Sequence, residues 1–567
     1  MADKISEQHY YSPQMVLTDR TWPDQVITKA PQMCEVQLRD GNQSLLIPMN
    51  VVKKLEYFRA ITRMGFKEVE IGFPSASIPE FNFAKDLIQN QEIPDDVAIQ
   101  VLVQSREKLI NRTFEAIKDA RKSIVHFYLC TNPVQRKHTL NMSKDQVKAM
   151  AVDAAKMIMD SLVDFDMENR VQVQFSTESG SDTEPEFVLE VNNAVIEEVN
   201  PRPENPLIIN FPETVQRGTV NQMADYLEWL LRNIDRRDSL LASFHGHNDC
   251  DNATAMAELA LLAGFDRIEG TFAGNGERAG NLDIIKLALN LESRGIHTGL
   301  DFSFLEEVKA IYRKVTGMSI PQRDPYLGEE VFTAYSGSHQ DALKKGFDAR
   351  ESRIQSGENP VWQEEIHYIH VNPDCIGRKY EAVKINSQSG KAAVAYVLQD
   401  KFGISLPKIM QGVVHMQSIQ PEVEKREENE EAELTFGEVF TLFKKDFVNT
   451  DHIKFLESSV SSEGRDVRFQ GYIAIDEKEF EIEGIGNGPV NALINGLEKS
   501  GLKSFSLVHY DQKIRGTQTG SDAEAITFVG LQTNETEKVY WGCGMNESST
   551  QSALDAVVSA MNQEFFG

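Results

Sequence analysis

The sequence predicts an α/β chain built on a (β/α)8 TIM barrel, followed by mostly helical subdomains and a C-terminal α+β domain with an internal repeat. Three observations carry this expectation. Between about residues 31 and 310, short strand-like segments alternate with amphipathic helical stretches eight times. Polar clusters stand at the ends of several of those strands, where active sites of this fold gather. Residues 434–567 contain one supersecondary unit twice.

The elements read in order as follows. MCEVQLRDG is a strand running into a polar loop, and NVVKKLEYFRAITRMG has helical spacing closed by Gly65. KEVEIGFP, AIQVLVQS, SIVHFYLC, VQVQFS, PLIINFP, LASFHGH and RIEGTF continue the strand series. The long helix SKDQVKAMAVDAAKMIMDSL opens on Ser143 as its expected N-cap. A doubly wound sheet is the alternative, but it wants a phosphate-binding glycine loop after its first strand, and none is present. Residues 1–30, with Tyr10, Tyr11, Pro13, Trp22 and Pro23, lack helical periodicity and read as an extended arm packed on a neighbouring surface. Residues 311–420 read as mostly helical linker subdomains. Residues 421–433 carry seven Glu and read as a solvated acidic linker or a helix start. In residues 434–567, RFQGYIAIDEKEFEIEGIGNGPVNALINGLEKS and AITFVGLQTNETEKVYWGCGMNESSTQSALDAVVSAMN share one order: strand, turn, strand, Gly-rich loop, helix. Gly484-Ile-Gly486 aligns with Gly542-Cys-Gly544.

Bulk properties exclude several function classes. A chain of 567 residues implies two to four domains, and 41% hydrophobic with 25% charged residues is ordinary for a soluble protein. No apolar run approaches the ~18–20 residues that span a bilayer, and MADKISEQHYYSPQ has no apolar secretory core, so a cytoplasmic location is expected. Five scattered cysteines with no CxxC pair argue against a disulfide framework and against a thiolate zinc site. A net charge of −28 argues against a nucleic-acid-binding face, and any anionic substrate must be held by local cations.

Three clusters carry the chemistry: Leu38-Arg39-Asp40-Gly41-Asn42-Gln43, His245-Gly246-His247-Asn248-Asp249, and Gly274-Asn275-Gly276-Glu277-Arg278-Ala279-Gly280-Asn281. His-x-His on a strand puts both imidazoles on one face. Alone it is weak evidence, since structural or incidental pairs are commoner than metal sites. Asp40 and Asn281 complete a mixed N/O set without thiolate, suited to a divalent ion of the Mg, Mn or Zn kind and leaving positions for a chelating substrate.

With LRDGNQ, FPSAS, HGHND, GNGERAGN, SGSHQD and NSQSGK in this order, the chain resembles the α-isopropylmalate synthase family in its longer, fungal-like branch, from RTWPDQV to WGCGMNESSTQSALDAVVSA. The resemblance implies a metal-dependent acyltransferase that condenses acetyl-CoA with 2-oxoisovalerate. Asp40, His245, His247 and Asn281 would hold the metal and Arg39 would stabilise the developing oxyanion. Glu178 is then an acid/base or orienting carboxylate near Arg39, or else a surface-loop residue. Gln43, His126 and Thr214 would contact substrate, with a core role competing for His126. Glu213 and Gln216 flank Thr214 in a form unlike the family's, and Cys250-Asp251-Asn252 is a further departure. His339 and Tyr368 resemble a catalytic pair contributed by a subdomain, reaching into a partner's barrel, with packing as the competing role; His367 and His370 read as structural. Gly486, Gly488, Ala492, Gly542 and Gly544 resemble an L-leucine effector pocket, with a tight turn as the alternative. A potassium activator and a homodimer are implied by resemblance alone. The competing readings are a homocitrate or citramalate synthase, a carbon–carbon lyase, and a leucine-binding sensor with a vestigial barrel.

Overall fold

The computed structural model describes residues 15–566 apart from 335, 381–384, 387–388, 430–432, 477, 503, 517–522 and 534–536. The chain divides into two compact units. One runs to Val331 and takes in Val371–Lys379; the other comprises Phe332–His370 and the chain from Tyr380 onward.

In the first unit, β1 (Gln32–Glu35), β2 (Glu68–Gly72), β3 (Ala98–Gln104), β4 (Ser123–Cys130), β5 (Val171–Glu178), β6 (Leu207–Glu213), β7 (Leu240–Gly246) and β8 (Arg267–Gly270) form a closed barrel in sequence order. Each strand pairs in parallel with the next, and β1 pairs with β8 to close it. The intervening helices are α1 (Val51–Met64), α2 (Ile78–Gln89), α3 (Glu107–Ile117), α4 (Lys144–Asp164), α5 (Pro185–Val199), α6 (Val220–Asn233) and α7 (Ala253–Leu262), with α8 (Ile284–Ser293) after β8. Local chemistry sets their ends. Asn50 and Ser77 cap α1 and α2 by accepting from backbone amides, and Ser143 forms a capping box with Gln146 at α4. Gly65 ends α1 at φ 113°, a conformation that costs glycine nothing. The expected arm is present in its described part. Leu17 N and Trp22 Nε1 donate to Asp225, and Thr21 N to Glu228, fastening it to α6. Tyr10, Tyr11 and Pro13 lie outside the described residues.

The barrel interior is not wholly apolar. Glu70, Gln100, Gln174, Arg267 and Glu269 are fully buried. Arg267 donates to Glu68 (2.6 Å), Ser243 (2.8 Å), Glu269 (2.7 Å) and Gln100 (2.7 Å). Buried charges persist only when paired and hydrogen-bonded, and removing one partner of such a pair costs about 3–5 kcal/mol.

In the second unit, α9 (Gly337–Gln355) packs against α10 (Lys391–Phe402), and α10, α11 (Gln420–Glu428) and α12 (Phe436–Phe447) share one apolar core. The acidic run starts as a helix, one of the two readings given for it, and Val423 is buried in that core with Val414, Ile419 and Val439. Among the described residues, β9 (Ile453–Glu463), β10 (Asp466–Ile475) and β11 (Lys478–Gly486) form an antiparallel sheet in the order β11-β10-β9, and β12 (Phe505–Ile514), β13 (Ala525–Thr533) and β14 (Val539–Asn546) one in the order β12-β13-β14. Helices α13 (Pro489–Lys499) and α14 (Ser549–Phe566) follow β11 and β14. The repeat is thus present, and each copy also has a strand, β9 or β12, that the sequence reading left out. Both copies feed one core, with Phe469, Ile482 and Leu493 from the first and Val529, Leu554 and Val557 from the second.

The aligned glycines lie at the ends of strands beneath helices, a correction to their reading as loops. A Cβ on Gly484 would sit 2.0 Å from the Ala492 carbonyl oxygen, and one on Gly542 2.1 Å from that of Ala556. Helix and strand backbones approach too closely for any side chain. Gly488 has open space around it. We expect Gly542→Ala to destabilise the C-terminal module by ~1–3 kcal/mol through overpacking and Gly488→Ala to change stability little. Urea unfolding monitored by fluorescence and hydrogen exchange across β14 and α14 checks the contrast.

Candidate active site

The mouth of the barrel is assembled from the ends of its strands. After β1 the chain makes a widened helical turn, Gln37–Gly41, in which the Val36 carbonyl accepts from the amides of Asp40 (2.9 Å), Arg39 (3.2 Å) and Gly41 (3.4 Å). Such i→i+5 turns recur at functional sites because they re-aim side chains. Glu35 holds the base of the turn: its carboxyl accepts from Tyr57 Oη (3.0 Å), Gln37 N (3.2 Å) and Phe272 N (3.3 Å), and burial pushes its pKa up to about 8. Arg39 then lies between two carboxylates, its Nε on Glu70 (2.5 Å) and its Nη1 on Asp40 (2.6 Å). Burial opposes ionisation of Asp40, but the Arg39 guanidinium and His245 outweigh it and hold the carboxyl well below the usual range.

His245 and His247 leave the end of β7 with ring centroids 5.2 Å apart. Their Nε2 atoms lie 3.2 and 3.8 Å from Asp40 Oδ2. One ligand atom from each of Asp40, His245 and His247 falls within 4.8 Å of the others, the one such group among the described residues. The remaining ring nitrogens are anchored elsewhere: His245 Nδ1 on Glu269 Oε2 (2.8 Å) and His247 Nδ1 on the Glu213 carbonyl (3.2 Å). This is the support that metal-ligating imidazoles receive, leaving Nε2 for the ion. Burial alone would lower His245, yet its bonds to Asp40 and Glu269 raise it to about 9; burial and the neighbouring His245 bring His247 down to about 4.

Asn281 arrives from the loop after β8. That loop is stitched to β7 by Asn248 N to Gly280 O (2.9 Å) and Leu282 N to Gly246 O (2.8 Å). Asn281 Nδ2 donates to Asp40 Oδ2 (2.6 Å), and its Oδ1 is buried without a hydrogen-bond partner, packed where a Cβ on Gly276 would lie 2.2 Å away. The donor set fits a divalent cation. It offers a carboxylate oxygen, two imidazole nitrogens and an amide whose oxygen has no other use, reachable by turning the amide over.

Around this group is a cavity of about 170 Å³ lined by Arg39, Asp40, Gln43, His126, Ser176, Glu178, Asn210, Thr214, His245 and His247. The structure therefore brings together nearly all the barrel residues singled out from sequence, with Asn281 directly behind Asp40. It also refines their partners. The carboxylate bonded to Arg39, besides Asp40, is Glu70; Glu178 instead accepts from the Cys130 thiol, and burial raises its pKa against the pull of that bond and of Arg39. His126 combines both roles weighed for it, lining the cavity with both ring nitrogens engaged, on Glu70 (2.9 Å) and Ser176 (2.7 Å). Thr214 Oγ1 accepts from Ser179 N (3.0 Å), and Gln43 Nε2 donates to Glu277 (3.0 Å). Glu213 is buried, and its pKa is pushed up to about 8. Arg278 spans Asp249 (2.7 Å) and the Thr214 carbonyl (2.5 Å) at the rim. Sequence reading missed Glu70, Gln100, Ser176, Asn210 and Glu269. The available signal was a polar residue at every second position of β2, β5 and β8, and a lone polar residue inside the apolar runs of β3 and β6.

The remaining singled-out residues belong to the second unit. The rings of His339 and Tyr368 stack with centroids 3.8 Å apart, and His367 packs edge-on against Tyr368. Ala492 is fully buried, Gly486 faces α13, and Gly544 lies beneath α14; Asn491 Oδ1 accepts from Asn487 N (3.2 Å) at the start of α13.

Known proteins place this geometry in context. Three family descriptions match in succession: HMGL-like over residues 30–311, alpha-isopropylmalate synthase, post-catalytic domain-like over 329–399, and LeuA allosteric (dimerisation) domain over 433–565. The chain is 42% identical to the 2-isopropylmalate synthase of Corynebacterium glutamicum (strain R) over 558 residues, covering 96% of this chain and 89% of that protein. The chain belongs to the 2-isopropylmalate synthase family. It is likewise 42% identical to the Agrobacterium fabrum member (97% of each chain) and 39% identical to the Clostridium acetobutylicum member (97% of this chain, 98% of the other). As a member it is an acyltransferase with a metal-dependent barrel and a C-terminal allosteric domain. No helix among the described residues is long and apolar enough to cross a membrane.

Glu35 supplies a pH test of the turn that carries Arg39 and Asp40. Its carboxyl has an ordinary value near 4.5 when unfolded and about 8 when folded. The folded chain thus retains a proton that the unfolded chain loses, so its stabilising contribution is full below the lower value and is lost as pH rises through the upper one. We expect the denaturation midpoint of the wild type to fall across this window and that of Glu35→Gln to fall less, read from urea titrations at a series of pH values.

Proposed function

We propose that the chain joins acetyl-CoA to 2-oxoisovalerate (3-methyl-2-oxobutanoate) and hydrolyses the resulting thioester to 2-isopropylmalate and CoA, the first committed step of leucine synthesis. One observation supports this above the rest: in a chain of this family, Asp40, His245, His247 and Asn281 converge beside Arg39 at a cavity of about 170 Å³, a size for a small 2-oxo acid. These four residues would hold a divalent ion, Mg, Mn or Zn, which supplies Lewis-acid polarisation of a chelated keto group.

The chain's own groups do the rest. Arg39, kept cationic between Glu70 and Asp40, neutralises the oxyanion that forms as the acetyl methyl carbon bonds to the keto carbon. Thr214, Gln43 and His126, which line the cavity, orient the oxo acid. Glu178, with one oxygen held by Cys130, is placed to orient a reacting group or exchange a proton with it. His339, stacked on Tyr368, is our candidate for the base that removes the methyl proton. The C-terminal module, through Gly486, Gly488, Ala492, Gly542 and Gly544, is the candidate L-leucine site. Its leucine-bound state would favour a less active enzyme. A homodimer and activation by potassium belong to the same proposal.

Release of CoA should require 2-oxoisovalerate, with pyruvate and 2-oxoglutarate poor replacements. Dialysis against a chelator should abolish turnover and Mn or Mg restore it. Asp40→Asn should weaken cation binding in calorimetry and lower kcat at least ~10²-fold, the loss seen when electrostatic stabilisation is removed. Turnover that survives chelation, or a preference for another oxo acid, refutes the corresponding part of this reading.

A further inference from the structure

The interior of the barrel holds an acid–imidazole–hydroxyl chain to which the condensation step assigns no proton transfer. We propose that Glu70, His126 and Ser176 form a proton relay that activates water for the hydrolytic half of the reaction, an assignment that rests on the reading above for its thioester. His126 Nδ1 lies 2.9 Å from Glu70 Oε1, and His126 Nε2 lies 2.7 Å from Ser176 Oγ. The neighbours fix the direction of both bonds. Asn210 Nδ2 donates to Ser176 Oγ at 2.9 Å, so the serine's own proton is free to point at His126 Nε2. Glu70 can only accept, since it also receives Arg39 Nε (2.5 Å) and Gln100 Nε2 (3.0 Å), so the imidazole proton resides on Nδ1. In the neutral imidazole Nε2 is then a lone pair facing a hydroxyl on the cavity wall. His126, Ser176 and Asn210 all line that cavity and are at most 4% exposed. Carboxylate, imidazole and hydroxyl in this order are what hydrolases on unrelated folds use to draw a proton from a nucleophile.

The step balances without an added reagent. A water oxygen attacks the thioester carbonyl carbon, its proton passes to Ser176 Oγ, and the serine proton passes to His126 Nε2. The imidazolium is stabilised by Glu70, whose carboxylate Arg39 and Gln100 hold in place. The tetrahedral adduct then collapses, the C–S bond breaks, and the departing thiolate takes the proton back from His126 through Ser176. The new carboxylic acid releases its proton to solvent. One water is consumed, and a carboxylate, a thiol and a proton result.

Metal-restored wild type, Ser176→Ala, Ser176→Thr and His126→Asn should each be given preformed 2-isopropylmalyl-CoA, with thiol release followed. Acid-quenched single turnovers with acetyl-CoA and 2-oxoisovalerate run alongside. Ser176→Ala and His126→Asn are expected to lose ~10²–10⁴-fold in hydrolysis, the usual worth of general acid–base catalysis, and to accumulate the condensed thioester. Ser176→Thr, which keeps the hydroxyl, should hydrolyse it near the wild-type rate. Hydrolysis by Ser176→Ala at the wild-type rate overturns the relay. Independently of turnover, nitrogen-15 NMR should find His126 protonated on Nδ1 and bare on Nε2; a protonated Nε2 also overturns it. A wild type that consumes acetyl-CoA with no 2-oxo acid refutes the underlying function instead, and the nitrogen spectrum still decides the relay geometry.

Discussion

The buried pairing of Arg267 with Glu269 is the interaction on which the active-site end of the barrel depends. Both side chains are fully enclosed, 2.7 Å apart at Nη1 and Oε1, and Glu269 also accepts from Gln100 and Gln174. A charge in that position is tolerable only with such company. From Glu269 the constraint runs outward along two lines. Its other oxygen orients His245, and Gln100 ties it to Glu70, which in turn grips both Arg39 and His126. The charge balance is uneven: Asp40, Glu68, Glu70 and Glu269 face Arg39 and Arg267. An excess of carboxylate in a dry interior is a standing attraction for a cation, and the bonds to Asp40 and Glu269 shift His245 the same way, raising its pKa. The chemistry of the mouth is thus prepared from the middle of the barrel.

The C-terminal module meets a different constraint with the same economy of parts. Two copies of a three-stranded sheet and helix merge their apolar faces into one core, so neither copy need bury its face alone. Bringing each helix down onto its sheet requires bare backbone at the contact, which is why Gly484 and Gly542 sit opposite carbonyl oxygens of Ala492 and Ala556. A motif that resembles a ligand loop in one dimension is, at those two positions, a packing device in three.

The architecture was legible because it is written in periodicity. Eight strand-to-helix alternations, the capping of α4 by Ser143 and the doubled C-terminal unit all follow from local spacing, and the structure contains each. The cluster of Asp40, His245, His247 and Asn281 was legible because each residue stands at the end of a barrel strand or in the loop that follows it, and barrel closure brings such segments together. What the sequence concealed was pairing across the interior. Nothing in KEVEIGFP says that Glu70 rather than Glu178 will bond Arg39; that depends on which strands face each other and how far each side chain reaches. The acidic run from residue 421 left linker and helix start open for a related reason. Its composition is that of solvated chain, yet a single Val423 on the inner face suffices to dock its first turns into a core.

Cys130 ends β4 directly beside Glu178 in the parallel register, at the lip of the reaction chamber. A thiol in such a place is usually a liability, since the thiolate is the form that peroxides and electrophiles attack. Here burial and the adjoining carboxylate drive its ionisation far above neutral pH. The sulfur thus stays a proton donor toward Glu178 instead of becoming the thiolate that a thioester would have to share its surroundings with.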